Sequence, residues 1–260
     1  MTWLVIQGDA KALPLASGSV NAIVTDEPYG MSDGSKLKKL RNADGSYDLK
    51  TFDAGAWDRG RVKDWMSEAY RVTIPGGSLL CFTDRRLISE AVDDAEAAGW
   101  RFRDTFYWQK SNPAPSFRHS FRSSIEAGFY ATKQGGKRWW PDDQRMNVFS
   151  CPTTRTAGLQ IHPTQKHLLV MRWLVQAACP PGGLILDCFG GSGTTAVAAI
   201  AEGRRCILVE RDPEYCRASS LRLQGGTVMD DRSVKMIQPR LNFDTTTDAV
   251  VGDPIVLPGE

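Results

Sequence analysis

The sequence lacks the features that mark secreted, membrane-spanning and zinc-binding proteins. No run approaches the ~18 apolar residues of a transmembrane helix. The apolar run nearest the N-terminus, residues 3–6, is too short for a signal peptide. The six cysteines contain no Cys-x-x-Cys pair, and the three histidines form no metal-ligand spacing with them. We therefore expect a cytoplasmic protein whose cysteines are reduced and mostly buried, with no structural metal.

The chain has little excess of either charge, but its charges are unevenly distributed. Its net charge is +2, whereas residues 101–172 hold 12 Lys and Arg against 4 Asp and Glu. The rest of the chain is therefore net acidic. A basic segment in a near-neutral chain predicts a localised face for a polyanion, although chance clustering on a solvated surface gives the same count.

Strand and helix patterns alternate along most of the chain. Apolar and β-branched runs predict strands at 3–7, 20–25, 79–82, 101–109, 124–132, 184–187 and 205–210. Amphipathic or small-residue stretches predict helices at 61–73, 85–98, 165–179, 194–202 and 213–223. This alternation predicts an α/β fold built on a doubly wound, mostly parallel sheet.

Three segments fall outside this pattern. Residues 31–55 are rich in Gly, Asp, Lys and Ser, which predicts a mobile loop that orders over a ligand. Residues 133–161 show no clear periodicity. Residues 224–260 predict a C-terminal extension. We expect residues 1–223 to form a single domain.

A carboxylate, a proline and an aromatic ring come together where the strand at 20–25 is expected to end. In open α/β sheets, ligands bind outside the carboxyl ends of the strands. The residues concerned are Asp26, Glu27, Pro28 and Tyr29. Because such residues are also common in turns, this run alone leaves a catalytic and an ordinary turn interpretation open.

A glycine-rich turn joins the strand at 184–187 to the helix at 194–202. Its glycines let the backbone approach a ligand, and the helix N-terminus presents free N–H groups. Glu210, at the end of the next strand, suits a ribose diol. Residues 191–196 fit G-x-G-x-x-A, so a nicotinamide or flavin dinucleotide remains open, whereas a P-loop does not, because no Gly-Lys-[Ser/Thr] follows.

Two motifs resemble those of the N6-adenine/N4-cytosine DNA amino-methyltransferases. Residues 26–29 are similar to the family's catalytic D-P-P-Y, and residues 187–195 (DCFGGSGTT) resemble its cofactor motif D-P-F-x-G-S-G-T-T. The catalytic motif precedes the cofactor motif, as in the circularly permuted β group of the family.

Shorter segments extend the resemblance over roughly residues 5–223. Residues 8–10 resemble the family's G-D-A, and Trp108-x-Lys110-x-Asn112-Pro113 with Glu126 resembles the segment between the two motifs. Residues 162–166 resemble H-P-T-Q-K-P, with His167 in place of the last proline.

The resemblance implies a Rossmann-like, S-adenosylmethionine-dependent enzyme that methylates the exocyclic N6 of a flipped adenine in duplex DNA. Asp rather than Ser at position 26 resembles the adenine-specific members, with N4-cytosine methylation as the alternative. A dinucleotide-dependent oxidoreductase leaves residues 26–29 and the basic segment unexplained. A DNA-binding protein without catalysis is a further alternative.

The resemblance also assigns cofactor contacts. Glu210 would bind the ribose hydroxyls, Asp9 the adenine moiety of the cofactor, and Thr164 and Lys166 its methionine end, where Lys166 meets the carboxylate. The full cofactor-binding set is Asp9, Ala10, Thr164, Lys166, Asp187, Phe189, Gly191, Gly193, Thr194 and Glu210.

Basic and aromatic residues are interleaved in two segments of the basic region. This pattern suits phosphate contacts with base stacking, although Trp139 and Trp140 fit a small core anchor equally well. The predicted DNA-binding residues are Lys110, Asn112, Arg118, Arg122, Lys137, Arg138, Trp139 and Trp140. We expect residues 133–161 to read a short target, palindromic and bound by a homodimer.

Glu27 departs from the family's motif, which has a proline at this position. The backbone carbonyl of residue 27 is present with any side chain, and Pro28 still favours an extended conformation there. Backbone stiffness is reduced and a negative charge is added. Our hypothesis is that the enzyme stays active because both acceptors, the Asp26 side chain and the Glu27 carbonyl, remain.

Overall fold

Strands and helices lie close to their predicted positions. The computed structural model describes residues 2–28, 37–41, 47–51, 62, 64–113, 121–141, 143, 145–153 and 165–225. The strands are β1 (Trp3–Gln7), β2 (Val20–Asp26), β3 (Leu37–Arg41), β4 (Tyr47–Thr51), β5 (Thr73–Thr83), β6 (Arg101–Lys110), β7 (Ile125–Thr132), β8 (Val148–Cys151), β9 (Leu184–Asp187) and β10 (Arg205–Glu210). The helices are α1 (Trp65–Val72), α2 (Ile88–Ala97), α3 (Leu168–Ala178), α4 (Thr194–Ala201) and α5 (Pro213–Gly225).

Eight strands form one sheet in the order β1-β10-β9-β2-β5-β7-β6-β8. Within this sheet only β7 is reversed: it pairs antiparallel with β5 and β6, and the other pairs are parallel. The seven parallel strands therefore end at one edge, the carboxyl edge, which carries Asp26, Thr83, Asp187 and Glu210. Their starts form the opposite, amino edge.

Side chains alternate between two cores on the two faces of the sheet. On β2, Ala22 and Val24 pack with helices α3 and α4, whereas Ile23 faces the core containing α1 and α2. Strand β5 alternates in the same way. A strand buried on both faces reads as a continuous apolar run, which is why these segments are recognisable in the sequence. The predicted doubly wound, mostly parallel sheet is confirmed.

Two described segments differ from the predicted pattern. Strands β3 and β4 pair antiparallel within residues 31–55, where we predict only a loop. Strand β8 lies within 133–161 and pairs with the edge strand β6. Each has five or fewer residues, too short for periodicity to stand out. Within the described ranges, no helix is long and apolar enough to cross a membrane.

Gly128, in the middle of β7, has no room for a side chain. A Cβ there would lie 2.3 Å from the Phe106 ring and 2.5 Å from the Cys81 carbonyl oxygen. We expect Gly128→Ala to lower the free energy of unfolding by about 1–3 kcal/mol, the usual cost of overpacking a core. Chemical denaturation measures this, with Gly225→Ala as the control because a Cβ there meets open space. Equal stability of the two variants would contradict the prediction.

Candidate active site

The catalytic motif and the glycine-rich turn meet at the carboxyl edge. Strand β2, which ends at Asp26, lies beside β9, which ends at Asp187. The Thr25 hydroxyl donates a 2.6 Å hydrogen bond to Asp187 Oδ1 across 162 residues of sequence. The two motifs are therefore parts of one site.

Asp187 fixes the start of the glycine-rich turn. The Thr195 hydroxyl donates to its Oδ2 at 2.6 Å, and the Phe189 N–H donates to its Oδ1 at 3.0 Å. Burial raises the pKa of Asp187 to about 6, although hydrogen bonds from Thr195 and Thr25 act in the opposite direction. Asp187 thus braces the turn from within the protein, and a direct cofactor contact by its side chain stays a prediction.

The turn itself requires glycine. Gly191 and Gly193 have φ of 46° and 75°, conformations that side chains disfavour. Gly193 caps the N-terminus of α4, and a Cβ on Gly190 would lie 3.0 Å from the Leu208 Cβ. The turn therefore lies tightly against β10, with the N-terminus of α4 directly after it.

Glu210 faces this turn from the end of β10. Its Oε2 accepts from the Gly191 N–H and its Oε1 from the Asp212 N–H, both at 2.8 Å. Each carboxylate oxygen retains acceptor capacity beyond one hydrogen bond, so Glu210 is suited to bind a diol. Asp9 lies next to it, because the Gly8 N–H donates to the Glu210 carbonyl at 2.9 Å.

These residues fit S-adenosylmethionine. The glycines leave a backbone surface that carries no side chain, Glu210 has acceptor capacity that suits ribose hydroxyls, and Asp9 lies beside Glu210 just after β1. Ala10 and Thr194, also predicted to bind the cofactor, are buried, and the Arg222 guanidinium donates to Thr194 Oγ1 at 3.1 Å. Burial lowers the pKa of Arg222 to about 10.

A chain of ion pairs leads to Asp26. Lys166 Nζ lies 2.6 Å from Asp26 Oδ2 and 3.0 Å from Glu126 Oε2, and Lys110 Nζ lies 2.6 Å from Glu126 Oε1. Burial acts to raise the pKa of Glu126, but the charges of Lys166 and Lys110 outweigh it and leave that pKa below its ordinary value. In this arrangement Lys166 holds the carboxylate of Asp26, the predicted catalytic residue, a contact that sequence alone did not predict.

His167, which replaces the last proline of the H-P-T-Q-K-P segment, caps α3. Its Nδ1 accepts a hydrogen bond from the Leu169 N–H at 3.2 Å, and its side chain is buried. An N-cap side chain satisfies a backbone donor that the helix leaves unpaired. The cap fixes the start of α3 directly after Lys166.

The side chain of Glu27 points into the protein. It is 2% exposed, and its Oε2 accepts from the Trp65 indole N–H at 3.2 Å. Trp65 is fully buried at the start of α1 and meets the Phe189 ring edge-to-face, with centroids 5.2 Å apart. The side chain that departs from the family motif is therefore held in a polar contact beneath the site.

Three of the predicted DNA-binding residues lie at the carboxyl edge. Lys110 ends β6 and pairs with Glu126, and Asn112 Oδ1 accepts from the Thr153 N–H at 2.6 Å. Arg122 is exposed just before β7.

The predicted residues Tyr29, Thr164 and Arg118 lie outside the described residues.

The other predicted DNA-binding residues lie at the amino edge. Because β7 is reversed, it ends away from the catalytic motif, and residues 133–140 follow that end.

The Trp139 indole N–H donates to the Gln176 carbonyl at 3.1 Å, and Trp140 stacks on Tyr130 at 5.3 Å. Lys137 and Arg138 are exposed there. The structure does not bring these four residues together with Asp26, and it shows both tryptophans in packing contacts.

Sequence reasoning missed several residues at the carboxyl edge. Trp65 lies in a helix with no motif, and its only signal was the apolar stripe of α1. Arg85 and Arg86 follow β5 and are exposed, but they fall outside the basic segment. Thr25 directly precedes one recognised motif and Thr195 ends the other, and only their contacts with Asp187 show what they do.

Comparisons with known proteins identify the family of this chain. A family model described as DNA methylase, for the N6/N4 methyltransferases, matches residues 20–221. The chain therefore belongs to the N6/N4 DNA methylase family. It is 29% identical over 230 residues to the type II methyltransferase M2.DpnII of Streptococcus pneumoniae, covering 79% of this chain and 83% of that protein. It is also 27% identical to M2.LlaDCHI of Lactococcus lactis subsp. cremoris, and this match covers 80% of this chain and 83% of that protein.

Solved structures share the fold. The complex of M1.HpyAVI with S-adenosylmethionine has a TM-score of 0.63 and 25% identity, over 85% of this chain and 99% of that one. The cytosine-N4-specific PvuII DNA methyltransferase has a TM-score of 0.61 and 16% identity, over 91% of this chain and 89% of that one. At this identity the likeness shows a shared fold only. The predictions of a DNA methyltransferase and of S-adenosylmethionine as its cofactor are confirmed.

Proposed function

We propose that this DNA methyltransferase acts on the exocyclic N6 of an adenine flipped out of duplex DNA. The observation that carries the proposal is the position of Asp26, a carboxylate held by Lys166 at the end of β2 and joined through Thr25 to the cofactor turn. The aspartate at position 26 resembles the adenine-specific members of the family, whereas the N4-cytosine members have a serine at this position.

The chemistry requires that the amine nitrogen become pyramidal. Its lone pair is delocalised into the base, and two acceptors that each bind one N–H favour the pyramidal form. The Asp26 carboxylate and the Glu27 backbone carbonyl supply them. A carboxylate has about four acceptor positions, so the ion pair with Lys166 leaves room for the amine.

Positioning and electrostatics carry the rest of the reaction. Bound S-adenosylmethionine supplies an electrophilic methyl group. The protein aligns the amine with it, and alignment of this kind lowers a barrier without covalent chemistry by the enzyme. An adenine N6 inside a duplex is out of reach, so the base must be flipped, and Tyr29 is its proposed stacking partner.

DNA contacts are proposed at the carboxyl edge. Arg85, Arg86 and Arg122 are exposed there, next to the catalytic motif, and basic side chains of this kind bind phosphates. The connection between β6 and β7, residues 111–124, starts and ends at this edge. We propose that it contacts DNA near the flipped base. Target reading by 133–161, and a homodimer on a palindromic site, stay predictions.

Analysis of the methylated base tests the function. The protein is incubated with S-adenosylmethionine and DNA free of methylated bases, and the DNA is digested to nucleosides for mass spectrometry. We expect N6-methyldeoxyadenosine, and at least ~100-fold less of it with Asp26→Ala. Asp93→Ala, at an exposed aspartate on α2, is the matched control. N4-methyldeoxycytidine as the product would overturn the adenine assignment.

A further inference from the structure

Position 27 needs a substitute for the stiffness of proline. A proline there would fix φ near −65°, and the carbonyl of this residue is one of the two proposed acceptors for the amine. Glu27 has no such restraint on its own φ. Its backbone N–H donates to the Phe82 carbonyl at 3.3 Å, which anchors one side of the residue to β5.

The side chain of Glu27 supplies a second anchor. A buried carboxylate is costly unless it is hydrogen-bonded, and the Trp65 indole N–H is a donor to it. Trp65 is itself fixed, because it is fully buried in the core between α1 and the sheet. Residue 27 is thus held at its backbone and at its side chain.

The backbone before Trp65 is strained. Asp64 has φ of 70° and is the one non-glycine residue with positive φ in the part of the chain that the structure describes. Such a conformation costs about 1–3 kcal/mol and persists only where the surroundings impose it. It places Trp65 as the first residue of α1, under the catalytic motif.

Trp65 also contacts the cofactor turn. The edge-to-face contact with Phe189 joins the indole to the segment that follows Asp187. One side chain therefore touches both the residue that presents the acceptor carbonyl and the turn predicted to hold the cofactor.

We propose that Glu27 and Trp65 are positioning residues that together replace the missing proline. Their hydrogen bond fixes the carbonyl of residue 27 relative to the cofactor turn. The inference rests on the proposed role of that carbonyl, but it holds for an adenine or a cytosine amine alike.

Four variants test the proposal by total transfer of labelled methyl groups to DNA. Glu27→Ala and Trp65→Phe are each expected to lower kcat about three- to tenfold, the effect of one hydrogen bond. The double variant is expected to lose no more than either single one, because both remove the same contact. Glu27→Gln, which keeps an acceptor, is expected to retain more activity than Glu27→Ala.

Restoring the family's proline gives the sharpest test. Glu27→Pro removes the N–H that donates to the Phe82 carbonyl and also leaves the buried indole N–H of Trp65 without this acceptor. The second loss is costly, whereas removing both polar partners of the side-chain bond is close to neutral. The loss of the N–H is common to both variants compared here. We expect Glu27→Pro/Trp65→Phe to be more active and more stable than Glu27→Pro alone.

A readout independent of activity separates positioning from folding. Unfolding of the four variants without cofactor measures the coupling between Glu27 and Trp65, and calorimetry measures affinity for S-adenosylmethionine. Trp100→Phe is the control, because the buried Trp100 donates to the Met66 carbonyl in the same core but away from the site. If Trp65→Phe loses stability like Trp100→Phe and keeps its kcat, the proposal is overturned. Methylation of cytosine instead of adenine would overturn only the adenine assignment.

Discussion

The Lys166→Met variant is expected to transfer methyl groups about 100-fold more slowly than the wild type, with little change in its affinity for S-adenosylmethionine. Lys166 contacts two carboxylates at once, those of Asp26 and Glu126. Without the ammonium, the partly exposed carboxylates of Asp26 and Glu126 face each other, and because Glu126 keeps its ion pair with Lys110, we expect Asp26 to take up a proton more readily. Asp26 then loses acceptor capacity at the atom that should receive the amine N–H.

Steady-state kinetics and calorimetry distinguish this role from the sequence-based one. If Lys166 binds the carboxylate of the cofactor, as the resemblance implies, the dissociation constant of the cofactor rises. If Lys166 holds Asp26, kcat falls and the dissociation constant stays nearly unchanged. A large loss of cofactor affinity at unchanged kcat would contradict the ion pair as the functional contact.

Two further variants control for folding. Arg205→Met removes an exposed basic side chain at the amino edge, at the start of β10, and is expected to leave kcat unchanged. The double variant Lys166→Met/Glu126→Gln removes one of the two facing carboxylates and is expected to recover part of the lost activity. Failure of Glu126→Gln to restore any activity would count against charge repulsion as the cause.

Asp187→Asn is expected to change how stability depends on pH. Burial raises the pKa of Asp187 to about 6 in the folded protein, from an ordinary value of 3.8. The folded protein therefore binds a proton more tightly than the unfolded chain. This contribution to stability is fully present below pH ~4 and is lost as pH rises through ~6, a change of about 3 kcal/mol.

Urea denaturation between pH 4 and pH 8 measures this contribution. The wild type is expected to lose stability across the interval relative to Asp187→Asn, whose amide does not titrate. Asp93→Asn, at an exposed carboxylate, should give a curve parallel to that of the wild type. Parallel curves for the wild type and Asp187→Asn would mean that the hydrogen bonds from Thr25 and Thr195 keep Asp187 ionised throughout.

Much of the fold could be predicted because its signals are local. Strands buried on both faces appear as apolar runs, and the glycines of the cofactor turn occupy backbone conformations that few other residues adopt. The end of β2 was recognisable for the same reason, since a carboxylate after an apolar strand stands out.

The pairings within the site could not be predicted because they depend on the direction of single strands. The contact of Lys166 with Asp26 requires that the segment before α3 return to the end of β2. The hydrogen bond of Trp65 to Glu27 joins a helix without a motif to a residue that departs from one. The position of Trp139 depends on the reversed direction of β7, and no local sequence pattern predicts the direction of a strand.

The reversed β7 also places two neighbouring segments of the sequence at opposite edges of the sheet. Glu126, near its start, lies beside the catalytic motif at the carboxyl edge, and residues 133–140 follow its end at the amino edge. The β6–β7 connection joins two strands that pair with each other and are also paired on their outer sides, β6 with β8 and β7 with β5. We propose that this connection can differ in length and side chains while the strands that carry Asp26 and Glu126 stay in place. Changes in the proposed DNA contacts of this connection would then leave the ion pairs around Asp26 in place.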